Sequence, residues 1–330
     1  MVSLIRTLTA ECCAMKRFLV LCGISAILLG IVQTGNKKYL PEESNSTEWT
    51  LVVLPDTQYY AATYPEIFLA QTAWIAAHRE EKNIIFVAQE GDIVDADESH
   101  QWQVAQQSFA KLDGIVPYSM APGNHDYSRD RQTMFNDFFP PERFDAMKTF
   151  GGRFEEGRTD NNFHIFKAGG QAWLMLFLEF GPRNEVITWA NNVVSEHPAH
   201  NIVVVTHAYL YSDNTRYNNK NQEWNPSSYD TFKDASDGEA LWEKLISQHP
   251  NIRMVLSGHV LNDGLGRLTS IGAGGQKIHQ ILANYQMQEL GGGGYLRLME
   301  FHDNKISVRT FSPYLNDYKT DPDNNFEIEL

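Results

Sequence analysis

Five short polar motifs recur along the chain, nearly all following an apolar run: Asp56-Thr57-Gln58, Gly91-Asp92-Ile93-Val94-Asp95, Gly123-Asn124-His125-Asp126, Thr206-His207 and Gly258-His259. Together they offer carboxylates, an amide oxygen and imidazoles, the mixed oxygen and nitrogen donors that divalent cations take. Each alone has a plainer reading. Asp56 suits a helix cap or turn, the Gly-Asp pair suits turn chemistry, a histidine at a strand end can be structural, and Asn-His-Asp can be a hydrogen-bonded turn. Five in succession at strand ends are not explained as turns alone. In a sheet covered on both faces, side chains at the C-terminal ends of strands converge on one crevice, which is where ligands bind.

The elements that must deliver these motifs are legible as alternating patterns. Short β-branched apolar runs at 51–54, 84–88, 202–206 and 254–257 read as buried strands, and segments of helical period at 65–79, 101–112, 184–197 and 239–249 lie between them. The order is not a pure parallel winding. Runs at 162–167 and 171–179, joined by Ala168, Gly169 and Gly170, read as a hairpin, and 277–283, 295–301 and 305–311 read as antiparallel strands. The expected fold is α/β, two packed mixed β-sheets flanked by helices in a four-layer αββα sandwich. A long polar and aromatic stretch over 209–236 has no clear period, and a loop of that length in a compact domain is usually functional.

The 330 residues are 42% hydrophobic and 21% charged, the balance of an ordinary globular chain. A formal net charge of -14 disfavours nucleic acid as the main partner, since such proteins usually carry a basic face. Lys16 and Arg17 precede an uncharged apolar run over 18–32, and a polar stretch follows. That run is short against the roughly 20 residues of a membrane helix and suits a secretory leader. Residues 1–34 therefore read as a signal peptide or an uncleaved N-terminal anchor, 35–48 as a polar linker and 49–330 as the working domain, exported from the cytoplasm. Membrane contact is expected only through an uncleaved N-terminal segment. Cys12, Cys13 and Cys22 are the only cysteines, so the body has no disulfide, thiolate zinc site or cysteine nucleophile. Asn45, Ser46 and Thr47 form a glycosylation sequon of little weight.

The motif set resembles the metal-binding blocks of the calcineurin-like metallophosphoesterases over about 51–266. The family's D-x-H, GDxxD, GNHD/E, H and GHxH stand here as DTQ, GDIVD, GNHD, His207 and GHVL. The resemblance implies two divalent ions bridged by Asp92, with Asn124, His207 and His259 completing one site and Asp56 and Gln58 in the other. Two positions depart from the pattern, Gln58 and Leu261 standing where the family has histidine, and both belong to the same site. A glutamine carbonyl binds a hard cation weakly and leucine not at all. One tight ion and one weaker, oxygen-rich position are expected, the latter completed by water or by Asn262 or Asp263, or only partly filled. Mn2+, Fe2+/Fe3+ or Zn2+ are the ions implied.

The activity implied is hydrolysis of small-molecule phosphate monoesters or diesters by a metal-activated hydroxide. By the same resemblance His125 is the general acid or a cationic donor to the developing charge. Asp126 is expected to hold its ring, and Asp95 to orient a ligand or its loop. Tyr127, Arg129 and Arg131 in one loop, and Tyr209, Tyr211, Arg216, Tyr217 and Trp224 in another, are candidate contacts for a nucleotide, sugar phosphate or other phosphodiester. A fold-retaining binding protein with weakened catalysis is the alternative, motivated by Gln58 and Leu261. A nuclease is disfavoured by the acidic balance. His78, His100, His164, His197, His200, His249, His279 and His302 lie away from the motifs and read as surface or structural residues.

Overall fold

The computed structural model describes residues 47–218 and 222–330. The expected leader or anchor, nearly all of the linker, the three cysteines and Asn45 lie outside the described residues. Among the described residues no helix is long and apolar enough to cross a membrane.

The chain runs through β1 (Glu48–Leu54), β2 (Ile84–Gln89), β3 (Tyr118–Met120), β4 (Phe150–Arg153) and β5 (Asn162–Ala168). It continues through β6 (Gln171–Leu178), β7 (Asn201–Thr206), β8 (Ile252–Ser257), β9 (Leu265–Ile271) and β10 (Lys277–Ala283). It ends with β11 (Leu296–His302), β12 (Lys305–Ser312), β13 (Asp317–Lys319) and β14 (Asn325–Glu329). Two mixed seven-stranded sheets result. One has the order β13-β12-β11-β1-β2-β3 with β14 also on β12, and the other has the order β4-β5-β6-β7-β8-β10-β9. β1, β2 and β3 are mutually parallel, as are β6, β7, β8 and β10.

Alternation along the strands makes the layers. Leu51 and Val53 of β1 share a buried cluster with Trp173, Met175 and Phe177 of β6 and Val203 and Val205 of β7, so the sheets pack face to face. Val52 and Leu54 point the other way, onto Ile67, Phe68 and Ile75 of the helix Pro65–Ala77 and Trp102 and Phe109 of the helix Ser99–Phe109. Leu174, Leu176, Ile202 and Val204 likewise meet Val186, Ala190 and Val194 of the helix Asn184–Glu196. Successive side chains of a strand point to opposite faces, so each central strand feeds two cores and the order is helix, sheet, sheet, helix. Each large apolar side chain fully buried here contributes about 1.5–3 kcal/mol.

The expected hairpin is β5 and β6, and the expected C-terminal strands are β10, β11 and β12. The helix expected over 239–249 is instead split. It runs Gly238–Lys244, leaves helical geometry at Leu245 (φ -138°) and resumes as a single 3-10 turn, Ile246–Gln248. The stretch 209–236 holds two more 3-10 turns, Pro226–Ser228 and Asp230–Phe232.

Candidate metal centre

All five motifs sit just past the C-terminal ends of parallel strands: Asp56 after β1, Asp92 after β2, Asn124 after β3, His207 after β7 and His259 after β8. Each sheet contributes to the same spot. Asp92 Oδ2 lies 3.1 Å from His207 Nε2, which lies 3.2 Å from His259 Nδ1. The three donor atoms fall within 4.8 Å of one another, and all three residues are buried.

Hydrogen bonds fix how these groups face each other. His207 Nδ1 lies 2.9 Å from the main-chain oxygen of Glu90, and His259 Nε2 lies 2.7 Å from that of Trp224. A carbonyl can only accept, so those nitrogens carry the protons and the opposite nitrogens turn lone pairs inward. Asp92 Oδ1 accepts from the main-chain N–H of His125 at 3.0 Å, which leaves Oδ2 toward the histidines. Asn124 Oδ1 is buried with no hydrogen-bond partner. Donor atoms converging in this way in a dry interior need a positive charge among them, either a proton on His207 Nε2 shared with Asp92 or a divalent cation in its place. The donor set therefore fits a divalent ion.

The local backbone is shaped to this end. Asp92 and His259 hold φ values of 46° and 77°, a left-handed conformation that costs a residue with a β-carbon about 1–3 kcal/mol and persists where the surroundings over-determine it. Two motif glycines make room. A β-carbon at Gly123 would collide with the Asp92 carboxylate, and one at Gly258 with that of Asp56.

Burial and neighbouring charge set the electrostatics. Burial opposes ionisation of Asp92, but His207 and His125 hold its carboxyl well below the ordinary value. For His207, burial works against the cation while Asp92 and Asp56 favour it, and the balance pushes its pKa up to about 9, so that without an ion a proton on Nε2 stands where the ion would bind. Burial, with His207 beside it, pushes His259 down to about 3. Asp56 is pushed up to about 7 by burial, against the pull of His207.

Asp56 is buried but not in the cluster of three. Its carboxylate accepts from the His259 main-chain N–H at 3.2 Å and from Asn284 Nδ2 at 2.9 Å. Gln58 donates from Nε2 to Asp95 Oδ1 at 2.9 Å, and its Oε1 is buried without a partner, free to face a cation. Asn262 is exposed and donates to Ser212 and Tyr211, and Asp263 accepts from the Leu265 main chain.

His125 is half exposed, and its Nδ1 lies 2.7 Å from the Asp95 main-chain oxygen and 3.7 Å from Asp95 Oδ1. The negative charge of Asp92 raises its pKa above the ordinary value despite partial burial. Asp126 does not hold this ring. Its carboxylate accepts from the main-chain N–H groups of Gly123, Ile93 and Val94 at 2.8, 3.1 and 2.9 Å, pinning the second motif to the third. Three amides converge on it because both loops turn inward past their strands. Asp95 accepts from Gln58 through Oδ1 and meets the His125 ring through its main-chain oxygen.

Most of the expected substrate contacts are internal. Tyr127 is buried with its hydroxyl on Asp160, Tyr209 is buried with its hydroxyl on Gln280, Tyr217 is buried with its hydroxyl on the Glu223 carbonyl, and Arg216 pairs with Glu239. Tyr211 packs edge-on to Tyr217. Arg131 ties Glu179 to Asp234, and Arg129 is exposed. Residues not anticipated are Asn284 on Asp56 and the carbonyls of Glu90 and Trp224. Asn284 did carry a signal, a polar residue directly after an apolar strand run, as in the five motifs.

A family model described as calcineurin-like phosphoesterase matches residues 50–263. The chain is 32% identical over 292 residues to an uncharacterized protein, YvnB, of Bacillus subtilis (strain 168), covering 83% of this chain and 21% of that protein. It thus spans about a fifth of the length of that curated relative. A dimetal phosphatase from Danio rerio superposes with a TM-score of 0.52 at 13% identity, covering 85% of this chain and 98% of the other. A purple acid phosphatase from yellow lupin (Lupinus luteus) seeds gives 0.52 at 12% identity, covering 88% and 55%. At these identities the likeness is one of fold.

Proposed function

The chain belongs to the calcineurin-like phosphoesterase family, and on that footing we propose that it hydrolyses small phosphate esters at a divalent-metal centre held by Asp92, Asn124, His207 and His259. The observation that carries this reading is the convergence of metal-donor atoms from Asp92, His207 and His259, together with an Asn124 amide oxygen that is buried without a hydrogen-bond partner. A divalent ion there supplies an acidified water and neutralises phosphoryl oxygens. His125, its Nδ1 engaged by the Asp95 carbonyl, offers the Nε2 proton to the leaving oxygen. Asp95 orients that ring and Gln58 together, and Asp126 holds the two loops in register.

The second position is the weaker one in this reading. Asp56 and the free Gln58 oxygen support it, while Leu261 adds no donor. The dimetal character of the Danio rerio phosphatase favours two ions here as well, one of them loosely bound. A binding protein without turnover is the competing reading, and the hydrogen bonds that already engage Asp56 are what favour it. The test is metal stoichiometry paired with turnover of chromogenic phosphate monoesters and diesters, with added Mn2+, Zn2+ or Fe2+ against a metal-stripped control. One tight ion, a second weak ion and metal-dependent turnover are expected. No turnover of any ester at full metal loading would establish the binding protein instead.

A further inference from the structure

The His259 ring is packed among aromatic groups, with centroids of His207, Phe180, Tyr217 and Tyr229 at 4.9, 5.2, 6.1 and 6.2 Å. In that setting its tautomer is decided by the few polar atoms it meets. Among the described residues only the Trp224 carbonyl meets Nε2, at 2.7 Å, and that contact is what leaves Nδ1 toward Asp92 and His207. Trp224 itself holds φ 61°, a costly conformation for a bulky residue. Two features fix the chain that follows it. Asn225 opens the turn Pro226–Ser228 by accepting from the Ser227 main-chain N–H at 3.0 Å. Farther along, the Arg131 guanidinium sits 4.7 Å over the Phe232 ring and donates to Asp234 Oδ1 at 2.8 Å. The same guanidinium reaches Glu179 and the carbonyls of Phe180 and Gly181, so the segment carrying Trp224 is tethered to the end of β6.

We propose that Trp224 is a positioning residue of the metal centre: its main-chain carbonyl, kept in place by a left-handed backbone and the Arg131 tether, selects the His259 tautomer that presents Nδ1 to the ion. The inference rests on the metal-centre reading above. It makes the backbone at position 224 decisive and the indole secondary, so two substitutions there should act in opposite ways. Glycine adopts positive φ freely and keeps the carbonyl where it is. Proline locks φ near -65° and swings the carbonyl away.

The experiment uses the full chain with two readouts independent of turnover. One is Zn2+ and Mn2+ affinity by competition with a fluorescent chelator. The other is the His259 tautomer in metal-free, 15N-histidine-labelled protein by NMR. Wild type and Trp224→Gly should share the Nε2–H tautomer and the same affinity. Trp224→Pro should lose that tautomer and bind metal about 10–100-fold more weakly, the usual effect of losing such an outer partner. Should the proline variant fail to fold, Arg131→Leu carries the test, with the same direction expected for both readouts. Wild-type affinity and tautomer in Trp224→Pro or in folded Arg131→Leu would overturn the proposal, as would an equal loss in Trp224→Gly. Wild-type protein that binds neither ion would overturn the metal-centre reading itself, a result distinct from those.

Discussion

His125 and Asp126 are adjacent, yet they serve different ends. The first reaches outward with a ring held by the Asp95 carbonyl, and the second is buried under three main-chain amides. His125 is not among the inward-facing donors, so His125→Ala should retain its metal while turnover falls by about 100-fold or more, the scale of losing an acid or base group. Metal analysis alongside steady-state rates checks this, and an unchanged rate would remove His125 from the reaction. The proposed ligand side chains are readable because aspartate, asparagine and histidine at strand ends are chemically distinctive. The carbonyls of Glu90 and Trp224 are not, because every residue has one and no residue type announces where it points. Asp126 was misread for a related reason: a carboxylate beside a histidine suggests a pair, whereas the buried amides of two inward-turning loops compete for it more strongly.

At the scale of elements, the buried parallel strands β1, β2, β7 and β8 were visible as continuous apolar runs because both faces of each are covered. The strands β3, β4, β9, β13 and β14 were not. β9 exposes alternate side chains and lies at a sheet edge, so it lacks a run to detect. β5 carries a histidine in the core, His164, with Nδ1 on Thr149 Oγ1 at 2.9 Å and the rings of Phe86 and Phe150 at 5.1 and 5.4 Å. Burial pushes its pKa down to about 3, from an ordinary value of 6.5. Between those values the unfolded chain binds a proton that the folded chain refuses. Its contribution to stability is therefore complete above about pH 6.5 and is lost as pH falls toward 3. His164→Phe removes that linkage. Urea unfolding at about pH 7 and again at about pH 4.5 should show the variant losing less stability than wild type across the interval; equal losses would mean that His164 is not kept neutral by its surroundings.

For the whole molecule, the informative feature is where the donors come from. Asp92 and Asn124 follow β2 and β3, and His207 and His259 follow β7 and β8, so each sheet lends two. Those sheets also meet across the apolar layer of Phe86, Phe177, Val205 and Leu256 and through a few polar contacts, among them Arg297 onto the Leu282 carbonyl and Ser119 onto Asn162. An ion held by all four would thus be a rivet through the sandwich, and its contribution to folding would follow mass action, about 2.7 kcal/mol at a free concentration one hundred times its dissociation constant. Chelation should lower the melting temperature in a manner that added metal reverses. It should also speed amide exchange first at the strand tips on the catalytic rim, leaving the opposite rim protected. Uniform loosening of both rims, or none, would show that the two halves stay fastened without it.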